Sequence, residues 1–286
     1  MIRYSDNNDR EGIISLWNEA FGDKRDEIEF FLNKKYIPEN TIVKEINGET
    51  ASMLFLLEGK MHIDHTDYPA YYLYAACTAK KYRGKGYMSK LLDFAKQTAA
   101  DRGVEFICLL PAEKSLYDYY SVHGYKTVFK RKTVTLNADG LNKICQTASK
   151  SSDFSFKLID KLRDEVLEDI DYFKWDRLSI EFAANYTKLY GGSANFSNKG
   201  YFLYSISDGS LTVKEIIFTS EIDFQIIDDI VKQSNLTQIR FFVPASFDFP
   251  VGQAEITDSG MLLPITKNAQ KIADKIENAY LGLTLD

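Results

Sequence analysis

The sequence predicts an α/β (α+β) protein whose first half is a mixed sheet flanked by helices, and three features carry that expectation. An aromatic apolar strand, Ala70 to Cys77, passes through the basic glycine turn Tyr82-Arg83-Gly84-Lys85-Gly86-Tyr87-Met88 into an amphipathic helix. A second apolar strand, Val104 to Leu110, follows and is closed by Pro111. Asn47-Gly48, set between the strand-like stretches Thr41 to Ile46 and Thr50 to Leu57, is a two-residue hairpin signature.

In chain order, Ile2 to Tyr4 reads as a strand and Asp9 to Tyr36 as a helical region broken at Gly22. After the hairpin, a loop through His65 and Asp67 leads to the aromatic strand. Met88, Leu91, Leu92, Ala95 and Ala99 recur at helical spacing until Gly103 stops the helix. Lys114 to His123 is a short helix closed by Gly124 and Tyr125, and the alternating stretch Val128 to Leu136 is expected to complete the sheet.

A first domain thus spans 1–136, a polar linker 137–153 and a second domain 154–286. In that second domain, Leu158 to Ile170 and Trp175 to Tyr190 read as helices, the latter stopped at Gly191-Gly192. A hairpin from Tyr201 to Phe218 turns at Asp208-Gly209. Ser220 is placed to cap a helix whose apolar face uses Ile226, Ile227, Ile230 and Val231, and Gln238 to Val243 is the next strand. Hairpin, helix and strand echo the first half without its glycine turn. Two readings stay open, a degenerate second copy of the same fold or an unrelated α+β domain.

Of 286 residues, 45% are hydrophobic and 27% charged, which is globular composition rather than disorder. A net charge of −6 carries no nucleic-acid footprint, so no nucleic-acid partner is expected. The first ten residues lack an apolar leader and no apolar run is long enough to cross a bilayer, so a cytoplasmic location without membrane attachment is expected. Cys77, Cys108 and Cys145 have no metal-type spacing and read as reduced thiols, and His62 and His65 lack a third ligand nearby. No metal is expected, and oligomeric state is not encoded legibly.

The glycine turn has the chemistry of an anion site. Gly84 and Gly86 remove side-chain bulk, amides at a helix start point outward, and Arg83 and Lys85 add positive charge. This favours a ligand carrying phosphates. The order strand, basic glycine turn, helix, strand, then a helix ending Tyr120-Ser121-Val122-His123-Gly124-Tyr125, resembles the GCN5-related N-acetyltransferase (GNAT) family. Arg83, Gly84 and Gly86 match its acyl-CoA signature, Arg/Gln-x-x-Gly-x-Gly/Ala, with Met88 where a smaller residue is commoner. Tyr120, Gly124 and Tyr125 match its later Tyr-x-x-x-Gly-Phe/Tyr segment. Glu113 stands where many members carry Asn. The resemblance covers about residues 1 to 135, and the echo in the second half is similar to tandem acetyltransferases of the Eis group.

That resemblance implies acetyl-CoA as cosubstrate, with its pyrophosphate on the amides of Gly84 to Met88 and with Arg83, Lys85 and Tyr87 alongside. The pantetheine arm is expected beside Ala76, Cys77 and Thr78, in a gap between Cys77 and Leu110 where two strands splay, with Glu113 and Tyr117 also in the cofactor site. Transfer would run directly to a primary amine of a small molecule or peptide, with Tyr120 as the acid at the sulfur. In Eis-like relatives the C-terminal carboxylate enters the active site, which makes Asp286 the candidate base. Cys77 as a covalent nucleophile is less favoured, because no histidine–carboxylate relay is visible. Two alternatives stay open: a non-catalytic acyl-CoA sensor or partner-binding module, and a tandem-fold aminoacyl transferase using charged tRNA, whose basic surface this acidic composition does not advertise.

Overall fold

The computed structural model describes residues 1–141, 158–197, 199–219, 224–249 and 252–285. Strand β1 (Ile2–Tyr4) pairs antiparallel with β2 (Thr41–Ile46), and α1 (Arg10–Phe21) and α2 (Arg25–Lys35) lie between them in sequence. Gly22, at φ +81°, ends α1 by donating its N–H to Asn18 O, as the expected break requires. Next come β3 (Glu49–Ile63) and β4 (Thr66–Thr78), then α3 (Tyr87–Asp101), β5 (Phe106–Leu109), α4 (Lys114–Ser121) and β6 (Lys126–Thr127). Asn47-Gly48 turns β2 into β3 with both φ angles positive, as expected.

The expected loop through His65 and Asp67 is a correction. Strands β3 and β4 run almost into each other, joined by Asp64 and His65 at φ +46° and +58°. Asp and His tolerate the left-handed region well enough to make a turn without glycine.

The chain continues with β7 (Lys130–Asn137), α5 (Ala138–Leu141), α6 (Ile159–Leu167), β8 (Tyr172–Lys174), α7 (Arg177–Leu189), β9 (Ser193–Ser197), β10 (Gly200–Ser207) and β11 (Ser210–Phe218). It ends with α8 (Phe224–Gln233), β12 (Gln238–Pro244), β13 (Gln253–Asp258), β14 (Met261–Pro264) and α9 (Lys267–Ala273). Ser220 and the linker residues 142–153 fall outside the described residues.

Two sheets result, ordered β1-β2-β3-β4-β5-β14-β6 and β13-β7-β12-β11-β10-β9. Each contains an antiparallel hairpin, a helix and a parallel partner: β4 with β5 across α3, and β11 with β12 across α8. Each then adds an antiparallel neighbour taken from the other half of the chain. Strand β14 pairs with β5, Met261 opposite Leu109, whereas β7 pairs with β12, Val134 opposite Phe241. Val128 to Leu136 therefore does not complete the first sheet. Its apolar residues Val134 and Leu136 are buried with Leu211, Val213, Ile239 and Phe241, while Met261–Pro264, buried at all four positions, suits a place flanked by strands on both sides.

Two compact units emerge, both discontinuous in sequence. One comprises Met1–Met61, Asp67–Thr127 and Gly260–Ile276; the other His62–Thr66, Val128–Ser259 and Glu277–Asp286. In the first, Trp17 packs its ring 4.9 Å from Phe31 and 5.5 Å from Phe55. A second cluster sets Leu91, Leu92, Ala95 and Ala99 of α3 against Tyr71, Leu73, Ile107 and Leu109 of the sheet. Each large side chain so buried contributes about 1.5–3 kcal/mol.

In the second unit, Arg163 and Glu215 are both fully buried and paired, and Tyr201 donates its hydroxyl to Glu215 Oε2 at 2.6 Å. The C-terminal segment docks onto the same unit. Tyr280 O accepts from Phe173 N–H, Trp175 Nε1 donates to Leu283 O at 2.9 Å, and Tyr280, Leu281, Leu283 and Leu285 are buried. No helix among the described residues is long and apolar enough to cross a membrane.

Candidate functional site

Strand β4 carries the site because it breaks its own regularity. Ala75 adopts φ +47° inside the strand, a bulge-type kink that re-aims the residues after it. The parallel ladder with β5 runs from Ala70 opposite Phe106 to Tyr72 opposite Cys108, while β4 continues to Thr78. From Tyr74 onward the strand becomes partly exposed, with Ala76 and Thr78 half-buried and Cys77 buried between them.

A short turn, Lys80–Tyr82, then delivers the chain to the glycines. Gly84 and Gly86 take φ +74° and +70°, and a Cβ at either would meet nothing within 4 Å. Backbone conformation favours glycine here, and the space beside the backbone stays open. Gly86 is the N-cap of α3 and offers no side chain to its first amides, so these N–H groups face outward with the positive end of the helix dipole. Arg83 folds back to donate from Nε to Thr78 O at 3.1 Å, which ties the turn to the end of β4.

Charge collects around this turn. The Nζ atoms of Lys81 and Lys85 lie 5.2 and 5.3 Å from the centre of the Tyr82 ring, and Lys44 lies 5.5 Å from that of Tyr87. Lys81 also pairs with Glu49, holding that carboxyl below its usual range. Glu19 accepts from the Lys80 N–H at 2.7 Å, one acid at the edge of a basic rim.

The second cluster of expected residues comes from α4. Tyr120 is buried, its ring edge-to-face with Tyr119 at 5.3 Å and with Tyr125 at 5.5 Å. Burial raises its pKa well above that of a free phenol, with Tyr119 and Cys77 adding smaller effects of the same sign, so it stays protonated. Tyr120 belongs to the core cluster that Ala76 of β4 packs against. Tyr117 is half-buried against the same core cluster. Glu113 sits at the exposed N-cap of α4, where its carboxylate accepts from the Ser115 hydroxyl at 3.3 Å rather than capping the helix.

Burial pushes the thiols of Cys77 and Cys108 far up, which keeps them protonated and unreactive, whereas Cys145 and Asp286 lie outside the described residues. Glu58 is held by Asn40 Nδ2 at 3.0 Å. His62 lies within β3, its ring 6.3 Å from that of His65, and among the described residues no cluster of three or more His, Cys, Asp or Glu side chains is arranged to hold a metal. Two features escaped sequence reasoning. Ser89 Oγ lies 3.2 Å from His123 Nε2, and the Tyr125 hydroxyl is buried without a hydrogen-bond partner. His123 and Tyr125 flank Gly124 in the Tyr-x-x-x-Gly segment, a signal that could have directed attention to both.

Residues 1–128, which contain the bulged strand, the glycine turn and the bare helix N-terminus, match the model of the acetyltransferase (GNAT) domain. That match spans less than half of the chain. Beyond it, solved GNAT proteins share the fold over nearly the whole chain. A GCN5-related N-acetyltransferase from Anabaena variabilis superposes with a TM-score of 0.74 at 15% identity, covering 97% of this chain and 75% of that one. One from Kribbella flavida gives 0.68 at 17% identity, covering 92% and 70%. Eis1 from Mycobacterium abscessus gives 0.64 at 12% identity, covering 93% and 74%. No curated protein sequence is significantly similar to the chain. The two sheet-containing halves are thus those of a tandem GNAT fold, with the glycine turn in the first.

Proposed function

We propose that the protein is an acyl-CoA-dependent N-acyltransferase that moves acetyl from acetyl-CoA directly to a primary amine of a small molecule or peptide. The observation that carries this reading is the uncapped start of α3 at Gly84 and Gly86, tied by Arg83 to the end of a bulged β4 whose Ala76 packs against the core cluster that holds Tyr120. The amides of Gly84 to Met88 would hold the pyrophosphate, with Arg83, Lys85 and Tyr87 around it. Ala76, Cys77 and Thr78, with Tyr117 and Glu113, would line the arm. When bound, acetyl-CoA supplies the acetyl group activated as a thioester.

The remaining work falls to this chain's own groups. Tyr120, kept protonated by burial, would give its proton to the departing sulfur. The acceptor must lose one, and with an amine pKa near 10 about one molecule in a thousand is neutral at pH 7. Asp286 is our candidate base.

Calorimetry on Gly86→Asp tests the reading. Aspartate tolerates this backbone conformation but places a negative charge over the amides, so acetyl-CoA affinity is expected to fall at least ~10-fold while the fold is retained. Equal affinity in mutant and wild type would sink the site. Tight binding without transfer to any amine would favour the sensor reading.

A further inference from the structure

A cavity of about 350 Å³ opens where the middle of α3 faces the turn that follows α4, and all of its lining belongs to the first unit. That volume lies near the lower end of the range for small-ligand sites. Leu92, Tyr125 and Leu263 give it a buried, largely apolar floor, and Val122, 80% exposed, stands at the rim. The wall is tied in place. His123 Nε2 lies 3.2 Å from Ser89 Oγ, and its ring meets that of Tyr119 at 5.0 Å. Gly124 brings the turn so close to β14 that a Cβ there would fall 3.2 Å from Leu263 Cδ1. Among the described residues neither Tyr120 nor any part of β4 or the glycine turn lines this space, so it stands apart from the acyl-transfer site proposed above.

Two opposite charges stand over the floor. Asp93 and Lys96 are exposed on the same face of α3 as Leu92, and among the described residues neither forms an ion pair or a hydrogen bond, with the other included. On a helix, side chains three positions apart start about 5–6 Å from each other. A free α-amino acid carries its ammonium and its carboxylate on a single carbon, so it can engage both neighbours at once, whereas a compound with one charge can use only one of them. We propose that this cavity binds a free α-amino acid with an apolar side chain, its ammonium at Asp93, its carboxylate at Lys96 and its side chain over Leu92, Val122 and Leu263. Both charged partners stand in solvent, which limits the share of each, so the site binds in the ~0.1–10 mM range.

The test uses the full chain without acetyl-CoA, so its outcome is independent of the acyl-transfer reading. With the leucine and valine methyl groups labelled with carbon-13, unlabelled L-leucine should give saturable NMR shifts at Leu92, Val122 and Leu263. N-acetyl-L-leucine, which lacks the ammonium, and L-leucinamide, which lacks the carboxylate, should each bind ~5-fold more weakly at low salt. Asp93→Asn should weaken L-leucine ~5-fold and leave N-acetyl-L-leucine unchanged. Lys96→Met should weaken L-leucine by the same factor and leave L-leucinamide unchanged. Both substitutions fall at exposed positions of α3, so the fold is retained. The site is overturned by any of three results: no saturable shift at those three residues, equal affinity for the three compounds, or an affinity for L-leucine that either substitution leaves unmoved.

Discussion

Arg163 and Glu215 form an ion pair, Nη2 to Oε1 3.0 Å, in which neither side chain is exposed, and the backbone of Gly282 lies against it. Arg163→Met would leave the Glu215 carboxylate buried with the Tyr201 hydroxyl as its remaining partner, at a cost of about 3–5 kcal/mol. Arg163→Met combined with Glu215→Leu should restore most of the loss. Gly282→Ala acts on the same spot from the other side, because a Cβ there falls 2.5 Å from Arg163 Nη2 at a residue with φ +68°. Urea midpoints at pH 7 check all three, and hydrogen exchange over Ala279–Leu283 should rise in the glycine variant.

Tyr120, Tyr125, Tyr201 and Tyr280 all have phenol pKa values raised by burial. Between the unfolded value near 10 and the higher folded values, the unfolded chain binds fewer protons, so stability must fall as pH rises through that window. Urea melts at pH 8 and above pH 10 should show the drop. Tyr125→Phe should reduce it.

Tyr120→Phe keeps the ring and removes the proton. Once an acceptor is known, single-turnover transfer should slow by about 10²-fold or more while acetyl-CoA affinity changes little. Unchanged rates across pH would leave Tyr120 a packing residue.

Deleting Leu285 and Asp286 should depress transfer ~10-fold or more and spare acetyl-CoA binding, since the glycine turn belongs to the first unit. Because Leu285 is buried, Asp286→Asn is the companion variant that keeps the packing. Full transfer by the deletion would remove Asp286 from the mechanism.

The elements that sequence reasoning located best are those with local causes. Asn47-Gly48 and Asp208-Gly209 announce hairpins, Gly22 ends a helix, and the glycine turn with its flanking strand and helix is readable residue by residue. The Asp64-His65 turn was hidden because it lacks the glycine that marks Asn47-Gly48 and Asp208-Gly209. The Ala75 kink was hidden because alanine carries no signal for a positive φ. Strand β14 was beyond reach for a different reason: Met261–Pro264 finds β5 more than 150 residues away, and no local pattern records a partner that distant. For the site, the anion-binding turn was legible through glycine and charge, whereas the isolation of the Tyr125 hydroxyl depends on packing that only the folded chain defines.

The crossing of β7 and β14 bears on how the protein is made. As the chain leaves the ribosome, the first sheet is still missing an interior strand when residue 128 has emerged, and it must wait for residue 264 to obtain it. Until then the edge of β5 stays open, an interval in which a nascent chain needs protection from pairing with its neighbours. Neither half is a cassette that can be cut out and carried alone. A gene fragment ending after β7 would encode every residue of the glycine turn and still lack the strand that closes the sheet beside it.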